Sequence, residues 1–322
     1  MGRGEEARAQ ARGMCISFVL VDFEAGPRRA TVVAFNRDEF LDRETRGPHW
    51  WSVEDGEQVV YGGRDLRAGG SWLGVTRSGR VALLTNFRRK EDAGGPAAAD
   101  GEGGTGVDPV DLGSAASVEK SRGTLVKDFL FGSDTPRDYC ERVRRDQYNG
   151  YNLVVGDLVR GDFAHVSNRD CPGVTQLAKG RVCGASNGPL GSWWKVRRGC
   201  SLLELGAPDL IGKPSLSEED WGDEVSSWIF ETVLSDETKA PREELQDTGF
   251  GPGIEMPNSS IYVEPFKKDG FGEFGTRSST VILFDHDEGV VRWYERTYQQ
   301  RERDSGGLNY EAQRETFGIL VT

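Results

Sequence analysis

The chain of 322 residues has few of the side chains that build metal and redox centres: five cysteines and three histidines. The cysteines are odd in number and contain no C-x-x-C pair, which argues against a disulfide framework and a zinc site and suits a reducing compartment. His49, His165 and His286 lack any mutual spacing typical of a metal site. We therefore expect no metal site and no required cofactor.

The chain also has no excess of positive charge and no long apolar run. The chain has 40 basic against 52 acidic residues, a net charge of −12, so we expect no general attraction to nucleic acid. No apolar run approaches the length of about 18 residues that a membrane helix needs, so we expect no integral membrane segment. The predicted location is cytoplasmic.

Hydrophobic residues make up 36% of the chain, enough for a sizeable core, and we interpret residues 14–322 as one domain. Residues 1–13 have no apolar signal core and include two glutamates, so they are predicted to be a flexible N-terminal extension. The segment at about 91–117 is rich in Gly, Ala and Asp and has no periodicity. It is predicted to be a disordered insertion.

A run of polar residues follows an apolar strand near the start of the domain. Residues 30–35 are apolar and β-branched, which predicts a buried strand that runs into Asn36, Arg37, Asp38 and Glu39. Unpaired charges at a buried strand end would be costly. The charge pattern alone leaves two interpretations open: an ion pair or cap that ends the strand, or an anion site.

The rest of the chain predicts strands at both ends and helices in the centre. Cys15 opens a strand over 15–22. Hairpins are predicted at 71–75 with 80–86 and at 152–158 with 162–167. Helices are predicted at about 121–131, 136–146 and 218–235, the last two capped by Thr135 and Ser217. Further strands are predicted at 260–263, 278–285, 290–296 and 315–321.

Two adjacent tryptophans form a second candidate feature. Trp193 and Trp194 can provide a flat apolar wall, and Lys195, Arg197 and Arg198 add a local positive rim. Such a combination suits an acyl-CoA or the propionates of haem.

Seven short motifs occur in order: Met14-Cys15-Ile16, N-R-D-E at 36–39, G-G-S-W-L-G at 69–74, L-T-N-F at 84–87, Y-N-G-Y-N-L at 148–153, Ser186-Asn187 and G-T-R at 275–277. As an ordered set they resemble the NRDE family from about residue 14 to 320, with a poor match across 90–120. That family is similar to the cysteine branch of the N-terminal-nucleophile hydrolases, which contains penicillin V acylase and bile-salt hydrolases. The resemblance implies an α+β fold, a four-layer αββα sandwich.

The resemblance also implies roles for particular residues. Cys15 would be the nucleophile, with its own α-amine as base. Asp38 would hold that amine, and Arg37 would stabilise the thiolate or bind an anionic group. Oxyanion donors would come from Asn86 and Asn187, and Arg277 would complete an anionic cradle. The ligand-binding residues that we predict are Asn36, Glu39, Trp72, Trp193, Trp194 and Lys195.

The chain departs from these patterns in two places. Cys15 follows fourteen residues instead of a single initiator Met, so as written it has no free amine. Arg37 is adjacent to Asp38, whereas cysteine acylases place two residues between them. Cys15 as a small buried hydrophobe therefore stays open beside the catalytic interpretation.

Two functions compete. The first, which we favour, is a binding or carrier protein on an inactive hydrolase frame; the resemblance implies haem or acyl-CoA and lipid handling, with Golgi or mitochondrial association. The second is a cysteine amidohydrolase that cleaves a linear amide with Cys15. A scaffold role is disfavoured because it would not need polar residues clustered at strand ends. The partner expected is a small amphipathic ligand, and the oligomeric state is left open.

Overall fold

The structure is a computed structural model that describes residues 13–52, 59–90, 120–213, 217–268, 272–299 and 309–320. The insertion predicted at about 91–117 lies outside the described residues, as does the N-terminal extension apart from Gly13. The division of the chain into an extension and one domain stays a prediction.

The first sheet is antiparallel and has seven strands in the described part of the chain. Its order is β10-β1-β2-β12-β13-β14, with β11 paired to β12. The bounds are β1 Ile16–Ala25, β2 Arg28–Phe40, β10 Val182–Ala185, β11 Phe266–Lys268, β12 Gly272–Asp285, β13 Val290–Tyr298 and β14 Tyr310–Gly318. Strand β2 is central, and the polar run 36–39 lies at its C-terminal end.

The second sheet is an antiparallel meander in chain order, β3 to β9. Its strands are β3 Thr45–Trp51, β4 Val60–Asp65, β5 Leu73–Thr76, β6 Arg80–Asn86, β7 Tyr151–Asp157, β8 Asp162–Ser167 and β9 Thr175–Gln176. Both predicted hairpins, β5–β6 and β7–β8, are confirmed. The turn of the first contains Gly79, whose φ of +83° suits a glycine.

The helices are α1 Gly123–Phe131, α2 Pro136–Arg142, α3 Trp194–Ile211, α4 Glu218–Trp228 and α5 Pro252–Glu255. Helix α4 continues as a π-helical segment, Ile229–Leu234, and single 3₁₀ turns lie at Arg145–Gln147, Arg242–Glu244 and Pro257–Ser259. Both predicted caps are confirmed, because the side chains of Thr135 and Ser217 accept hydrogen bonds from the third residue beyond each. No described helix is both long and apolar enough to cross a membrane.

Three apolar cores define four layers. The first, between the two sheets, includes Val19, Val33, Leu73, Val154 and Ile282. The second packs α3 and α4 on the first sheet through Phe18, Val32, Leu203, Trp221 and Leu283. The third packs α1 and α2 on the second sheet through Leu84, Val126, Phe129, Leu153 and Val155. The order of layers is therefore helix, sheet, sheet, helix, which confirms the predicted αββα sandwich.

Some element predictions were wrong. The predicted strand at 260–263 is a loop, because the Ser259 and Ser260 hydroxyls bond to nearby carbonyls and compete with a strand ladder. Helix α2 ends at Arg142, four residues before the predicted end. The elements that were not predicted are strands β3, β4, β9, β10 and β11 and helices α3 and α5.

Candidate ligand site beside Cys15

The alternation of side chains along β2 divides the polar run between two faces of the first sheet. Phe35 belongs to the core between the sheets, and Ala34 belongs to the core under the helices. Since successive strand residues point to opposite faces, Arg37 faces the second sheet and Asp38 faces the helices. Cys15 packs with the inter-sheet core, on the same side as Arg37.

A cavity of about 330 Å³ lies between the sheets at this end of β2. The structure brings five of the predicted site residues to its wall: Cys15, Arg37, Glu39, Trp72 and Asn86. Gly13, Arg43, Asp65, Lys120 and Arg122 also line the cavity, and none of its described lining residues is a histidine. Among the described residues, no group of three His, Cys, Asp or Glu side chains is arranged to hold a metal ion.

Arg37 is a buried guanidinium, 5% exposed. Its Cζ lies 3.9 Å from the centre of the Trp72 ring, and its Nη1 donates a long hydrogen bond of 3.5 Å to the Thr45 hydroxyl. Both carboxylates of the cavity wall contact Arg43 instead, Asp65 at 2.7 Å and Glu39 at 3.8 Å. Within the described part of the chain, Arg37 therefore makes no salt bridge, although it carries a charge into the interior.

The Cys15 thiol is shielded and lies 3.9 Å from the backbone oxygen of Asp38. Burial, and then the negative charge of Asp38, raise the pKa of Cys15 to about 12. The nitrogen of Cys15 is in a peptide bond to Met14, so it is not a free amine. With a pKa of about 12, the thiol stays protonated near neutral pH.

Two side-chain amides converge on the carbonyl oxygen of Gly13. Asn86 Nδ2 donates to it at 3.0 Å and Asn187 Nδ2 at 3.2 Å. Ser186 fixes the second amide, because its hydroxyl contacts both Asn187 Oδ1 and the Cys15 carbonyl at 3.0 Å. The residues predicted as oxyanion donors thus lie together, and the oxygen that they bind belongs to the chain itself.

Asp38 and Lys195 form a second buried group, on the helix side of β2. The Thr276 hydroxyl donates to Asp38 Oδ1 at 2.7 Å, but Asp38 Oδ2 and Lys195 Nζ have no hydrogen-bond partner among the described residues. Burial raises the pKa of Asp38 to about 7 and lowers that of Lys195 to about 8. The Asp38 carboxyl group lies on the helix face of the sheet, whereas the Cys15 thiol lies on the inter-sheet face.

Asn36 and Arg277 do not belong to the described wall of the cavity. The Asn36 amide donates to the carbonyls of Leu234 and Ile261 at 2.8 and 3.0 Å and accepts from Ser279 at 2.6 Å. Arg277 Nη1 donates to the backbone oxygens of residues 40 and 43, in the turn after β2. Both side chains hold the fold around the site.

Trp193 and Trp194 line a separate cleft of about 760 Å³. The predicted positive rim is neutralised there, because Arg197 pairs with Glu244 and Arg198 pairs with Asp236. Lys195 turns the other way, into the interior beside Asp38. The tryptophan pair therefore lines the cleft, whereas Lys195 lies in the interior.

Thr276 was not predicted as a site residue. The G-T-R motif drew attention to Arg277 because of its charge, whereas the neighbouring Thr276 is the residue that bonds the Asp38 carboxylate. Strand alternation could have indicated Thr276, since it places adjacent strand residues such as Thr276 and Arg277 on opposite faces.

The chain is similar to known proteins over most of its length. A sequence profile for Transport and Golgi organisation 2 matches residues 14–300. The Transport and Golgi organization 2 homolog of Mus musculus is 26% identical over 317 residues, which cover 89% of this chain and 98% of the mouse protein. The homolog of Bos taurus is 28% identical over 300 residues, with 88% and 93% covered.

Two solved structures show weaker similarity. One is a Caenorhabditis elegans N-acylethanolamine-hydrolyzing acid amidase ortholog, with a TM-score of 0.40, 14% identity and coverage of 66% of this chain and 86% of that one. The other is a mutant of the conjugated bile acid hydrolase from Clostridium perfringens, with a TM-score of 0.40, 10% identity and coverage of 94% and 96%. The sequence profile spans most of the chain, and the protein belongs to the Transport and Golgi organisation 2 family.

Proposed function

We propose that the protein binds a small amphipathic anion in the cavity beside Cys15, with haem and long-chain acyl-CoA as the candidate ligands. The observation that carries this proposal is Arg37, which lies buried against Trp72 and makes no salt bridge within the described residues. A buried charge is costly unless it is paired. A carboxylate or phosphate of the ligand would supply the missing partner.

The charge and size of the cavity agree with such a ligand. Its described wall carries four basic side chains, Arg37, Arg43, Lys120 and Arg122, against two acidic ones, Glu39 and Asp65, in a chain whose net charge is −12. A volume of about 330 Å³ is at the lower end for ligand pockets. The cavity would hold an anionic group and part of an apolar body, with the rest of a larger ligand outside it.

A carrier role also agrees with the names of the relatives, which refer to transport and Golgi organisation. All five cysteines are free thiols, which suits a reducing compartment. In the proposal the carrier therefore acts in the cytoplasm, where it loads its ligand beside Golgi or mitochondrial membranes.

Titration of haem and of palmitoyl-CoA into wild-type protein and an Arg37→Gln variant tests the proposal. A charge-assisted hydrogen bond contributes about 1.5–3 kcal/mol, so the substitution should weaken binding of the true ligand about ten- to a hundredfold. Arg197→Ala is the matched control, because Arg197 lines the other cleft, and should leave affinity unchanged. Unchanged affinity in Arg37→Gln with reduced affinity in Arg197→Ala would move the ligand to the tryptophan cleft and overturn the proposal.

A second candidate function is a cysteine amidohydrolase that cleaves a linear amide. It is favoured by one observation, the two amide donors that converge on a carbonyl oxygen next to Cys15. In the full chain those donors are occupied, and Cys15 has no free amine. Intact mass spectrometry of protein purified from its native source tests this function: a mature N-terminus at Cys15 would support it, and retention of Met1 would exclude it.

A further inference from the structure

The side chain of Met14 fills an aromatic pocket on the helix side of the first sheet. It is 1% exposed and packs against Phe40, Val263 and Phe274. The rings of Phe40 and Phe274 meet edge to face, with centroids 5.4 Å apart. The backbone nitrogen of Met14 donates to the Asp38 oxygen at 3.0 Å. Met14 thus extends the pairing of β1 with β2 and directs an unbranched apolar chain into a closed pocket.

Gly13, one residue earlier, is closely fitted to the amide pair. Its carbonyl oxygen accepts from Asn86 and Asn187, and its φ is +57°, in the left-handed region that favours glycine. A Cβ at this position would lie 2.5 Å from Asn86 Nδ2. Gly13 also lines the cavity that contains Arg37. The segment therefore presents a carbonyl and an apolar chain at the edge of the proposed ligand site.

We propose that the Gly13–Met14 segment is an internal occupant of the ligand site and that the ligand with which it competes is a linear acyl compound. In the ligand-bound state, Asn86 and Asn187 hold the acyl carbonyl, the pocket of Met14 takes the unbranched chain, and Arg37 binds the anionic part. This inference rests on the proposed function and selects among its ligands. A thioester of an anionic carrier has all three parts, whereas the flat ring of haem does not match a pocket shaped by a methionine side chain.

Competition of this kind lowers the apparent affinity of the ligand. Only the fraction of molecules in which the segment has left the site can bind, so the apparent dissociation constant rises in inverse proportion to that fraction. The same competition accounts for the small cavity, since the segment fills the two subsites that an acyl group would need. A substitution that expels the segment should therefore strengthen binding, whereas most substitutions in a binding site weaken it.

The test compares decanoyl-CoA with coenzyme A itself, titrated into the full-length protein and a Gly13→Ala variant. A side chain at Gly13 would be strained by the positive φ and by contact with Asn86, so the segment should leave the site more often. We expect decanoyl-CoA to bind about tenfold more tightly and coenzyme A, which has no acyl group, to bind unchanged. Gly79→Ala is the matched control, because Gly79 also has a positive φ of +83° but lies in the β5–β6 turn.

A second variant, Met14→Ala, empties the aromatic pocket without changing Gly13 and should also strengthen the binding of decanoyl-CoA. Unchanged or weaker binding of decanoyl-CoA in both variants would overturn the inference. If that binding were still lost in Arg37→Gln, the proposed function would stand and only the internal occupant would be wrong. If neither haem nor an acyl-CoA bound to any of the proteins in a manner that depends on Arg37, the proposed function itself would fail.

Discussion

The two faces of strand β2 use neighbouring polar residues in opposite ways. On the inter-sheet face, Arg37 lies against a cavity and makes no salt bridge among the described residues. On the helix face, Asn36 is fully buried and makes three hydrogen bonds. A polar run at a strand end is therefore not one site, because alternation separates residues that meet a ligand from residues that hold the fold.

Asp38 shares features with both Arg37 and Asn36. Its position is structural, since Thr276 binds one carboxyl oxygen and the backbone pairs with the segment at Met14. Its second oxygen nevertheless lacks a partner in the described part of the chain, as does the buried Lys195 amine. The helix face therefore also contains one group whose charge is not fully compensated. Substitutions on each face in turn therefore test whether the two faces have different roles.

The strongest change that we expect is a loss of reactivity of the Cys15 thiol on the inter-sheet face. Burial raises the pKa of Cys15 from 9.0 to about 12, which makes the thiolate near neutral pH roughly a thousandfold scarcer than that of an ordinary thiol. We expect Cys15 to react with iodoacetamide slower than a model thiol by about that factor, as measured by peptide mass spectrometry.

Cys140 is the matched control for this reaction, because burial also raises its pKa to about 12. The two should react equally slowly in the full chain. Protein whose N-terminus is Cys15 would have a free amine beside the thiol, and Cys15 should then alkylate at lower pH than Cys140 or Cys200. Rapid alkylation of Cys15 in the full chain would contradict the burial of the thiol on this face.

The next effect is on stability and tests the helix face. Asn36→Leu removes three hydrogen bonds and leaves two buried backbone carbonyls without a donor. Each buried group left unsatisfied costs about 1–3 kcal/mol, so the free energy of unfolding should fall by about 3 kcal/mol or more in urea denaturation. Ser279→Ala, which removes one of the three bonds, should cost about 1 kcal/mol. If Asn36→Leu lost less unfolding free energy than Ser279→Ala, Asn36 would not be a residue that holds the fold.

Local sequence patterns predicted a large part of this fold. The apolar run before Asn36, the hairpin of 71–75 with 80–86 and the caps at Thr135 and Ser217 are short-range signals, and the structure confirms each one. Helix α3 was missed because its N-cap and its first residue are tryptophans, which suggested a pocket wall, and because Gly199, Gly206 and Pro208 lie within it.

The candidate site was harder to predict, because it depends on contacts between distant parts of the chain. Asn86 and Asn187 were both expected to be donors, but nothing local indicates that the oxygen they bind is that of Gly13. Charge drew attention to Arg277 instead of Thr276, and to Lys195 as part of a surface rim, although Lys195 is buried beside Asp38. Charge alone does not specify the face on which a side chain lies.

A smaller effect is the pH dependence of the Asp38 group. Burial raises the pKa of Asp38 from 3.8 to about 7. The folded protein therefore binds more protons here than the unfolded chain between these two values, so this contribution to stability is complete below about pH 4 and is lost as pH rises through 7. Lys195, whose pKa falls from 10.5 to about 8, contributes stability above pH 10.5 that is lost as pH falls through 8.

The Asp38→Asn variant tests whether the contribution of Asp38 to stability falls as pH rises. In urea denaturation the variant should lose the decline in unfolding free energy between about pH 4 and pH 7. Lys195→Met should extend the same decline to higher pH, because the positive charge that lowers the pKa of Asp38 is removed. Identical pH profiles for wild-type protein and Asp38→Asn would mean that this carboxyl is not desolvated as the structure indicates.

The smallest expected effect separates charge from shape on the inter-sheet face. Arg37→Lys keeps the positive charge but loses the planar group that stacks 3.9 Å above Trp72 and the fork that can bind a carboxylate through two hydrogen bonds. A cation–π contact contributes about 0.5–1 kcal/mol, so ligand affinity should fall about two- to fivefold. Arg43→Lys is the control, since Arg43 is engaged by Asp65 and Glu39, and should change affinity less than Arg37→Lys.

The two Arg37 variants together decide what this face of β2 recognises. If Arg37→Lys bound the ligand as poorly as Arg37→Gln, the shape of the guanidinium would matter more than its charge, as for a bidentate contact with one carboxylate. If Arg37→Lys bound as well as the wild-type protein, the contact with Trp72 would serve only to position the side chain. A result between these limits is the one expected for a charge that alternation points into the cavity and that an aromatic ring holds there.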